Sequence, residues 1–114
     1  MKLPNLPEAV APQTKLVEYL LSPSHPYGRH KAAFFAGFGF RPDSPEALAS
    51  ALLEHATRHE IAAVEHTHFG TRYVIEGPLP TPDGRTPLVR VVWFIRNGEV
   101  IPKLATAYPV RRPG

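Results

Sequence analysis

Residues 88–108, LVRVVWFIRNGEVIPKLATAY, decide the fold of this chain. Two runs rich in β-branched and aromatic residues flank Asn97-Gly98, a dipeptide that favours tight β-hairpin turns. Pro102 cannot donate a ladder hydrogen bond, so its strand should lie at a sheet edge or point that position away from a neighbour. We therefore predict that the last two strands form an antiparallel hairpin.

A two-residue turn would also fix the register of this hairpin. It sets Trp93 opposite Pro102 and Val91 opposite Leu104. Side-chain alternation then places one set of residues on a common face: Val89, Val91, Trp93, Ile95, Leu104 and Thr106. The other face would carry Arg90, Phe94, Arg96 and Lys103.

Two further strands and a helical part are predicted upstream of the hairpin. The strand-like sequence begins at Ile61, and two strands are predicted within the runs IAAVEHTHF (61–69) and TRYVIEGPL (71–79). Before it, TKLVEYLLS (14–22) has apolar residues at helical spacing, and a second short helix should begin at Arg29 or His30. Glycines at positions 37 and 39 should end that second helix.

The clearest helix lies in RPDSPEALASALLEHATRHE (41–60). Asp43 precedes Glu46 at the capping-box spacing, and Pro45 fits the first turn because its missing N–H is not needed there. The inner stripe should contain Ala47, Leu48, Ala51, Leu52 and His55 or Ala56.

This order of elements predicts an α+β fold, with N-terminal helices packed on a four-stranded antiparallel sheet. With 114 residues the chain is long enough for one hydrophobic core, so we expect a single domain over residues 1–114. Prolines 4, 7 and 12 make residues 1–13 an extended arm, which precedes a helical part (14–60) and the sheet (61–109).

Composition excludes several classes of function. The absence of cysteine excludes disulfides, thiolate catalysis and Cys-based metal sites. No apolar run reaches the roughly 18 residues of a membrane helix, and MKLPNLPEAVAP lacks a signal-peptide core, so we expect a cytoplasmic protein without a membrane partner. Neither a phosphate-binding glycine loop nor a GxSxG elbow is present. The net charge of +3 permits a polyanionic partner.

The stretch SHPYGRHKAAFF (24–35) is the main candidate site. Four cationic or potentially cationic residues lie together on a turn that leads into a helix N-terminus: His25, Arg29, His30 and Lys31. Such a terminus attracts anions, and two histidines beside a phosphate suit acid–base cleavage of RNA. Arg29 and Lys31 would hold the phosphate and its developing charge. An ordinary solvated turn is the alternative.

Two histidine pairs have spacings found in metal sites. His66 and His68 would share one face of a strand, while His55 and His59 lie four residues apart on the long helix. No third ligand accompanies either pair in its motif. We therefore expect solvated surface histidines, with no metal and no cofactor.

The strands contribute further candidates for substrate binding. Arg72 opens a strand, with Tyr73 beside it, and is a candidate for a phosphate pocket. Thr106 and Tyr108 lie two apart on the last strand and so share a face, where hydroxyls can hydrogen-bond a phosphate or a base. An ordinary β-strand end explains the last two residues equally well.

Three segments together resemble a known family: HPYGRHKAAFF (25–35), FGTRYVIEGPL (69–79) and VRVVWFIRNGEVIPKLATAYP (89–109). They resemble a domain-of-unknown-function family of short bacterial proteins. Members carry a His-Pro-x-Gly-(Arg/Lys)-x-Lys-Ala block, a Tyr-Gly-x-Arg-Tyr-like strand and a closing Thr-x-Tyr. The resemblance covers nearly all of residues 1–109.

The order of elements and the ending Thr106-Ala107-Tyr108-Pro109 also resemble the barnase, EndoU, colicin and RelE-like ribonuclease superfamily. This resemblance implies metal-independent RNA cleavage on one face of the sheet. It implies acid–base roles for His25 and His30. By the same resemblance the phosphate holders would be Arg29, Lys31 and Arg72, and the substrate contacts Thr106 and Tyr108.

The sequence thus favours a small, toxin-like, metal-independent ribonuclease. The alternative is a non-enzymatic module that binds nucleic acid or protein, as an antitoxin or immunity-type partner would, through Arg90, Arg96 and Lys103. The expected partners are RNA, a cognate protein, or a second copy bound through an edge strand or the sheet face. Catalysis requires His25 or His30 to lie near Arg72 or Thr106 across one cleft.

Overall fold

The computed structural model describes residues 1–110 and confirms the α+β fold. The helical part comprises a 3-10 turn (Leu6–Glu8), α1 (Gln13–Lys15) continuing as a π-helix (Leu16–Leu20), α2 (Arg29–Gly37) and α3 (Pro45–Arg58). The strands are β1 (Ile61–His66), β2 (Gly70–Pro78), β3 (Leu88–Arg96) and β4 (Lys103–Pro109). They form one antiparallel sheet in the order β1-β2-β3-β4. Among the described helices, none combines the length and the apolar character that crossing a bilayer requires.

The helices cover one face of the sheet and leave the other uncovered. Val89, Val91 and Trp93 of β3 are fully buried and belong to the core that the helices complete. Val74 and Val92 point to the opposite side, where they are buried outside that core. We call this opposite side the open face; besides the two valines it carries Arg72, Glu76, Arg90, Phe94, Thr106 and Tyr108.

The hairpin turn forms at Asn97-Gly98, but the predicted register is wrong. Glu99 N–H donates to the Arg96 carbonyl at 2.9 Å, and Gly98 takes a φ of 82°, as a tight turn requires. Pairing then resumes only at Lys103, so Leu104 lies opposite Trp93 instead of Val91. Residues 99–102 leave the ladder, and the carbonyl oxygens of Val100 and Pro102 accept hydrogen bonds from the N-terminal arm instead.

The last strand lies at a sheet edge, as Pro102 predicted, and contains a bulge that changes its faces. Leu104 pairs with Trp93 on the core side, but Thr106 pairs with Val92, which lies on the open face. One extra residue between them reverses the alternation. The prediction that Thr106 shares a face with Val91 and Trp93 was therefore wrong, because Thr106 lies on the open face. It does share that face with Tyr108, as predicted.

The N-terminal arm ties the two sheet edges to each other. Its first residue accepts a hydrogen bond from the backbone N–H of Ile61, at the start of β1. At the other end Val10 forms a parallel bridge with Lys103: Val10 N–H donates to Pro102 O, and Leu104 N–H to Val10 O. This bridge satisfies part of the exposed edge of β4 and explains why the strand starts late.

Helix α3 begins at Pro45, as predicted, but without the expected capping box. Ser44 is the N-cap residue and makes no side-chain capping bond, while Asp43 pairs with Arg41. Ala47, expected in the inner stripe, is exposed, whereas the other members of that stripe are buried.

His55 was expected either in the inner stripe of α3 or as a surface histidine, and it lies in the interior with 0% of its area exposed. Its Nε2 lies 3.1 Å from the carbonyl oxygens of both Gly77 and Val89. Carbonyls only accept, so Nε2 carries a proton, and Nδ1 is buried without a partner among residues 1–110. Burial, with the neighbouring His59, lowers the pKa of His55 from 6.5 to about 4.

Acid is therefore expected to destabilise the protein through His55. The contribution of the neutral His55 ring to the free energy of unfolding is fully present above pH 6.5 and is lost as the pH falls to 4. The reason is that His55 binds a proton more readily in the unfolded protein than in the folded one. The loss amounts to about 3 kcal/mol. His55→Gln keeps an N–H donor without a titrating ring, so urea denaturation at pH 7 and pH 4 should show a smaller pH effect in the variant. Equal pH effects in wild type and His55→Gln would contradict this assignment. The control is His30→Gln, which removes an exposed histidine of the helical part and should show the wild-type pH effect.

Candidate functional site

Tyr19 joins the helical part to the open face. Its hydroxyl lies 3.2 Å from Thr106 Oγ1, across the edge strand β4. Lys31 Nζ and Lys15 Nζ lie 5.2 Å and 5.4 Å from the centre of its ring. The His25 ring packs edge-on against it, with ring centres 5.0 Å apart. We call Tyr19, His25, Lys31 and Thr106 the Tyr19 cluster.

The turn before α2 holds the His25 ring in place. The backbone N–H groups of Tyr27 and Gly28 both donate to His25 Nδ1, each at 3.0 Å. Because Nδ1 accepts these bonds, the neutral ring carries its proton on Nε2, which is left to donate. This geometry makes His25 a fixed hydrogen-bond donor beside the tyrosine.

Gly28 allows the turn to touch the preceding helix. A Cβ at this position would lie 2.8 Å from Tyr19 Cδ1 and closer still to the Tyr19 carbonyl oxygen. Only glycine fits this approach, so the His-Pro-x-Gly segment and Tyr19 are positioned together.

The surroundings of Tyr19 make its hydroxyl more acidic. Partial burial acts to raise the pKa, but the interactions with Lys31 and Thr106 and the charges of Lys31 and Lys15 outweigh it, and the pKa of Tyr19 is lowered. Tyr19 thus gains two properties useful in proton transfer: a stabilised phenolate and a neighbouring ammonium group.

A second polar group lies on the open face beside this cluster. Arg90 donates to Glu76 Oε2 through Nε and Nη2, at 3.2 and 2.9 Å, and approaches the Tyr108 hydroxyl at 3.4 Å. Hydrogen bonding to Tyr108 and Glu76 raises the pKa of Arg90, so its charge is permanent. Arg72 lies 3.9 Å from Glu65. Together with Val74 these side chains line a depression of about 360 Å³.

The structure brings together only some of the residues chosen from the sequence. His25, Lys31 and Thr106 meet at Tyr19, and Arg72 and Tyr108 line the adjoining depression. Arg29 and His30 are exposed on α2, and no contact within residues 1–110 links either side chain to the cluster. Tyr73 pairs with Trp93 on the helix-covered face and packs against the core.

His66 and His68 are exposed, as expected, but they do not share a strand face as their spacing predicted. Strand β1 ends at His66, so His68 belongs to the turn and the two rings do not share a strand face. His66 Nδ1 contacts the Thr71 hydroxyl at 3.3 Å, and the His68 ring packs against Phe69. Within residues 1–110, no three His, Cys, Asp or Glu side chains are grouped as metal ligands would be.

Tyr19 is the residue that sequence reasoning missed. It lies in the same helical segment as the apolar stripe, and its contact with Thr106 spans 87 residues of sequence. The one local signal is its spacing of four residues from Lys15, which puts an ammonium group within reach of the ring.

Two comparisons place this chain among known proteins. The fold is similar to that of a chain in the contact-dependent growth inhibition toxin–immunity protein complex from Klebsiella pneumoniae 342, with a TM-score of 0.66 and 15% identity. That match covers 94% of this chain and 97% of the other. No curated protein matches the sequence. Residues 2–111 match the family described as domain of unknown function DUF6883. The chain therefore belongs to the DUF6883 family.

Proposed function

We propose that the protein is a toxin-like ribonuclease that cleaves RNA on its open face without a metal ion. The observation that supports this proposal is the Tyr19 cluster, in which an ammonium group and an imidazole ring both pack against a phenol of lowered pKa at the edge of the sheet. These are the groups that transesterification of RNA needs: a base, an acid and donors for a developing charge.

In the proposed reaction the 2′-oxygen of the RNA attacks the adjacent phosphorus. The Tyr19 phenolate takes the 2′-hydroxyl proton as the new P–O bond forms. The bond to the 5′-oxygen breaks, and Lys31 gives that oxygen a proton. The products are a 2′,3′-cyclic phosphate and a free 5′-hydroxyl, and a proton passing from Tyr19 to Lys31 restores both groups.

The other residues bind and orient the substrate. The His25 Nε2–H and the Thr106 hydroxyl would donate to the phosphate that reacts, while Arg72, Arg90 and Tyr108 would hold the next part of the backbone in the 360 Å³ depression. Arg90 and Arg72 are paired with carboxylates in the free protein, so RNA would exchange those pairs for phosphate contacts. His30 and Arg29 would contribute long-range attraction from the exposed side of α2.

The test is cleavage of mixed RNA by purified protein with EDTA present, comparing His25→Asn with His30→Asn. An Asn side chain can accept the N–H bonds of Tyr27 and Gly28, so we expect His25→Asn to keep the turn while it removes the imidazole ring, with its N–H and its edge-on contact with Tyr19. We expect His25→Asn to slow cleavage about tenfold or more and His30→Asn to remain close to wild type. Loss of RNA cleavage in His30→Asn, with full cleavage by His25→Asn, would contradict a site at the Tyr19 cluster and would indicate one on the exposed side of α2.

A cognate protein partner is a second proposal, and the exposed edge of β1 favours it. Five of the six residues of this strand are exposed, including Val64, and among residues 1–110 its one neighbouring strand is β2. The similar chain comes from a complex of a toxin with an immunity protein. A protein that adds a strand to β1 would bind without using the Tyr19 cluster.

A further inference from the structure

We propose that the depression between Phe69 and Phe94 binds one unpaired base of single-stranded RNA, while Arg96 holds a neighbouring phosphate. This inference takes its substrate class from the proposed function and adds the place where a base is recognised. The depression measures about 330 Å³ and is lined by Phe69, Phe94, Arg96, Glu99 and Lys103. It lies at the hairpin-turn end of the open face, and its volume is within the ~300–1,000 Å³ of ligand pockets.

Phe69 presents an exposed ring from a fixed backbone. The residue is 71% exposed although it is strongly apolar. Its N–H donates to Thr67 Oγ1 at 3.2 Å, and its carbonyl accepts from Asn97 N–H at 2.9 Å. The Asn97 amide also donates to His68 O at 2.9 Å, so the two hairpin turns are tied together. These bonds fix the backbone from which the exposed ring projects beside the depression.

Phe94 supplies the second aromatic surface. Its ring lies over Gly70, where an added Cβ would come within 2.7 Å of Phe94 Cζ. The missing side chain lets the ring rest against the backbone of β2, so it forms a rigid platform. In the part of the chain that the structure describes, Phe69 packs only against the His68 ring, and Phe94 packs against no other ring. Within residues 1–110, no aromatic ring is therefore stacked face to face on Phe69 or Phe94.

The charges favour a nucleotide over a purely apolar ligand. Arg96 is exposed, and no carboxylate within residues 1–110 pairs with it. Lys103 lies 4.0 Å from Glu99, a distance that gives a weak exposed pair. A nucleotide matches both the aromatic and the cationic side chains of this surface: its base can stack on Phe69 or Phe94 while a phosphate pairs with Arg96. The bases of a duplex are already stacked on each other, which restricts the ligand to single strands.

The test measures binding separately from cleavage. A short, fluorescein-labelled 2′-O-methyl RNA lacks the free hydroxyl needed for cleavage, and its affinity is read from fluorescence anisotropy. We expect Phe69→Ala to raise Kd about tenfold or more. Arg96→Ala should lower the slope of log K against log salt by about 0.7. Val100→Ala and Arg58→Ala, which alter exposed side chains outside the depression, should bind as wild type does.

Equal Kd values for wild type and Phe69→Ala would overturn the inference, as would tight binding of a protein partner with no binding of RNA. The two proposals fail separately. Weakened binding in Phe69→Ala, without cleavage of natural RNA by the wild type, would leave the base site standing and remove the ribonuclease. Lys31-dependent cleavage by the wild type, with unchanged RNA binding in Phe69→Ala, would support the ribonuclease and remove the base site.

Discussion

Replacing Lys31 with methionine is expected to reduce RNA cleavage by about 100-fold or more while the protein stays folded. Lys31 is only half-buried, and methionine keeps the apolar length of its stem. The variant loses the proposed acid and the charge that lowers the pKa of Tyr19. Initial rates on one labelled RNA, under conditions where chemistry limits the rate, would measure the loss. The control is Lys2→Met, which removes a lysine charge beside Glu60, outside the Tyr19 cluster, and should cleave RNA as fast as the wild type.

The same substitution has a spectroscopic consequence that does not depend on activity. Without the Lys31 charge, the pKa of Tyr19 should rise back toward 10, so the tyrosinate absorbance of the variant should develop at higher pH than that of the wild type. Tyr19→Phe should remove this early titration and most of the cleavage. Wild-type cleavage by either variant would contradict the assignment of Tyr19 and Lys31.

Gly28→Ala is expected to lower the free energy of unfolding by about 2 kcal/mol or more. The new methyl group would meet the backbone carbonyl and the ring of Tyr19, neither of which can move without shifting the turn. Cleavage should fall with it, because the same turn holds His25 against Tyr19. Urea denaturation followed by fluorescence of the buried Trp93 would measure the change.

Gly37→Ala is the matched control for this prediction. Gly37 is the last residue of α2, the helix whose N-cap is Gly28, and a Cβ there meets no atom within 4 Å. Because alanine favours a helix more than glycine does, this variant should be as stable as wild type or slightly more so. If the two variants were equally stable, the close contact between Gly28 and Tyr19 would not be what requires glycine in this turn.

The sequence predicts elements better than their register. Asn97-Gly98 and the β-rich runs correctly indicate the final hairpin, because turn chemistry and alternation are local properties. The offset of β4 depends on the bridge that Val10 makes with Lys103, and the bulge before Thr106 has no local signal either. Register therefore depended on contacts between segments far apart in the chain.

The candidate site shows the same division. The segment with His25 and Lys31 stands out by its charge and its turn residues, but its real neighbour, Tyr19, precedes it in an ordinary helical segment. Similarly, the stripe of α3 indicated that His55 or Ala56 faces inward, and burial of both depends on how β2 and β3 pack against that helix. Local patterns indicated candidate groups, and tertiary contacts determined which of those groups meet.

The chemical ends of the RNA products test the central proposal most directly. The wild-type protein, incubated with a defined single-stranded RNA in EDTA, should yield fragments that end in 2′,3′-cyclic phosphate and begin with a 5′-hydroxyl, as mass spectrometry of the products would show. Lys31→Met should yield almost none of these fragments in the same time. Products with 5′-phosphate ends, or intact RNA after prolonged incubation with folded wild-type protein, would contradict metal-independent cleavage at the Tyr19 cluster.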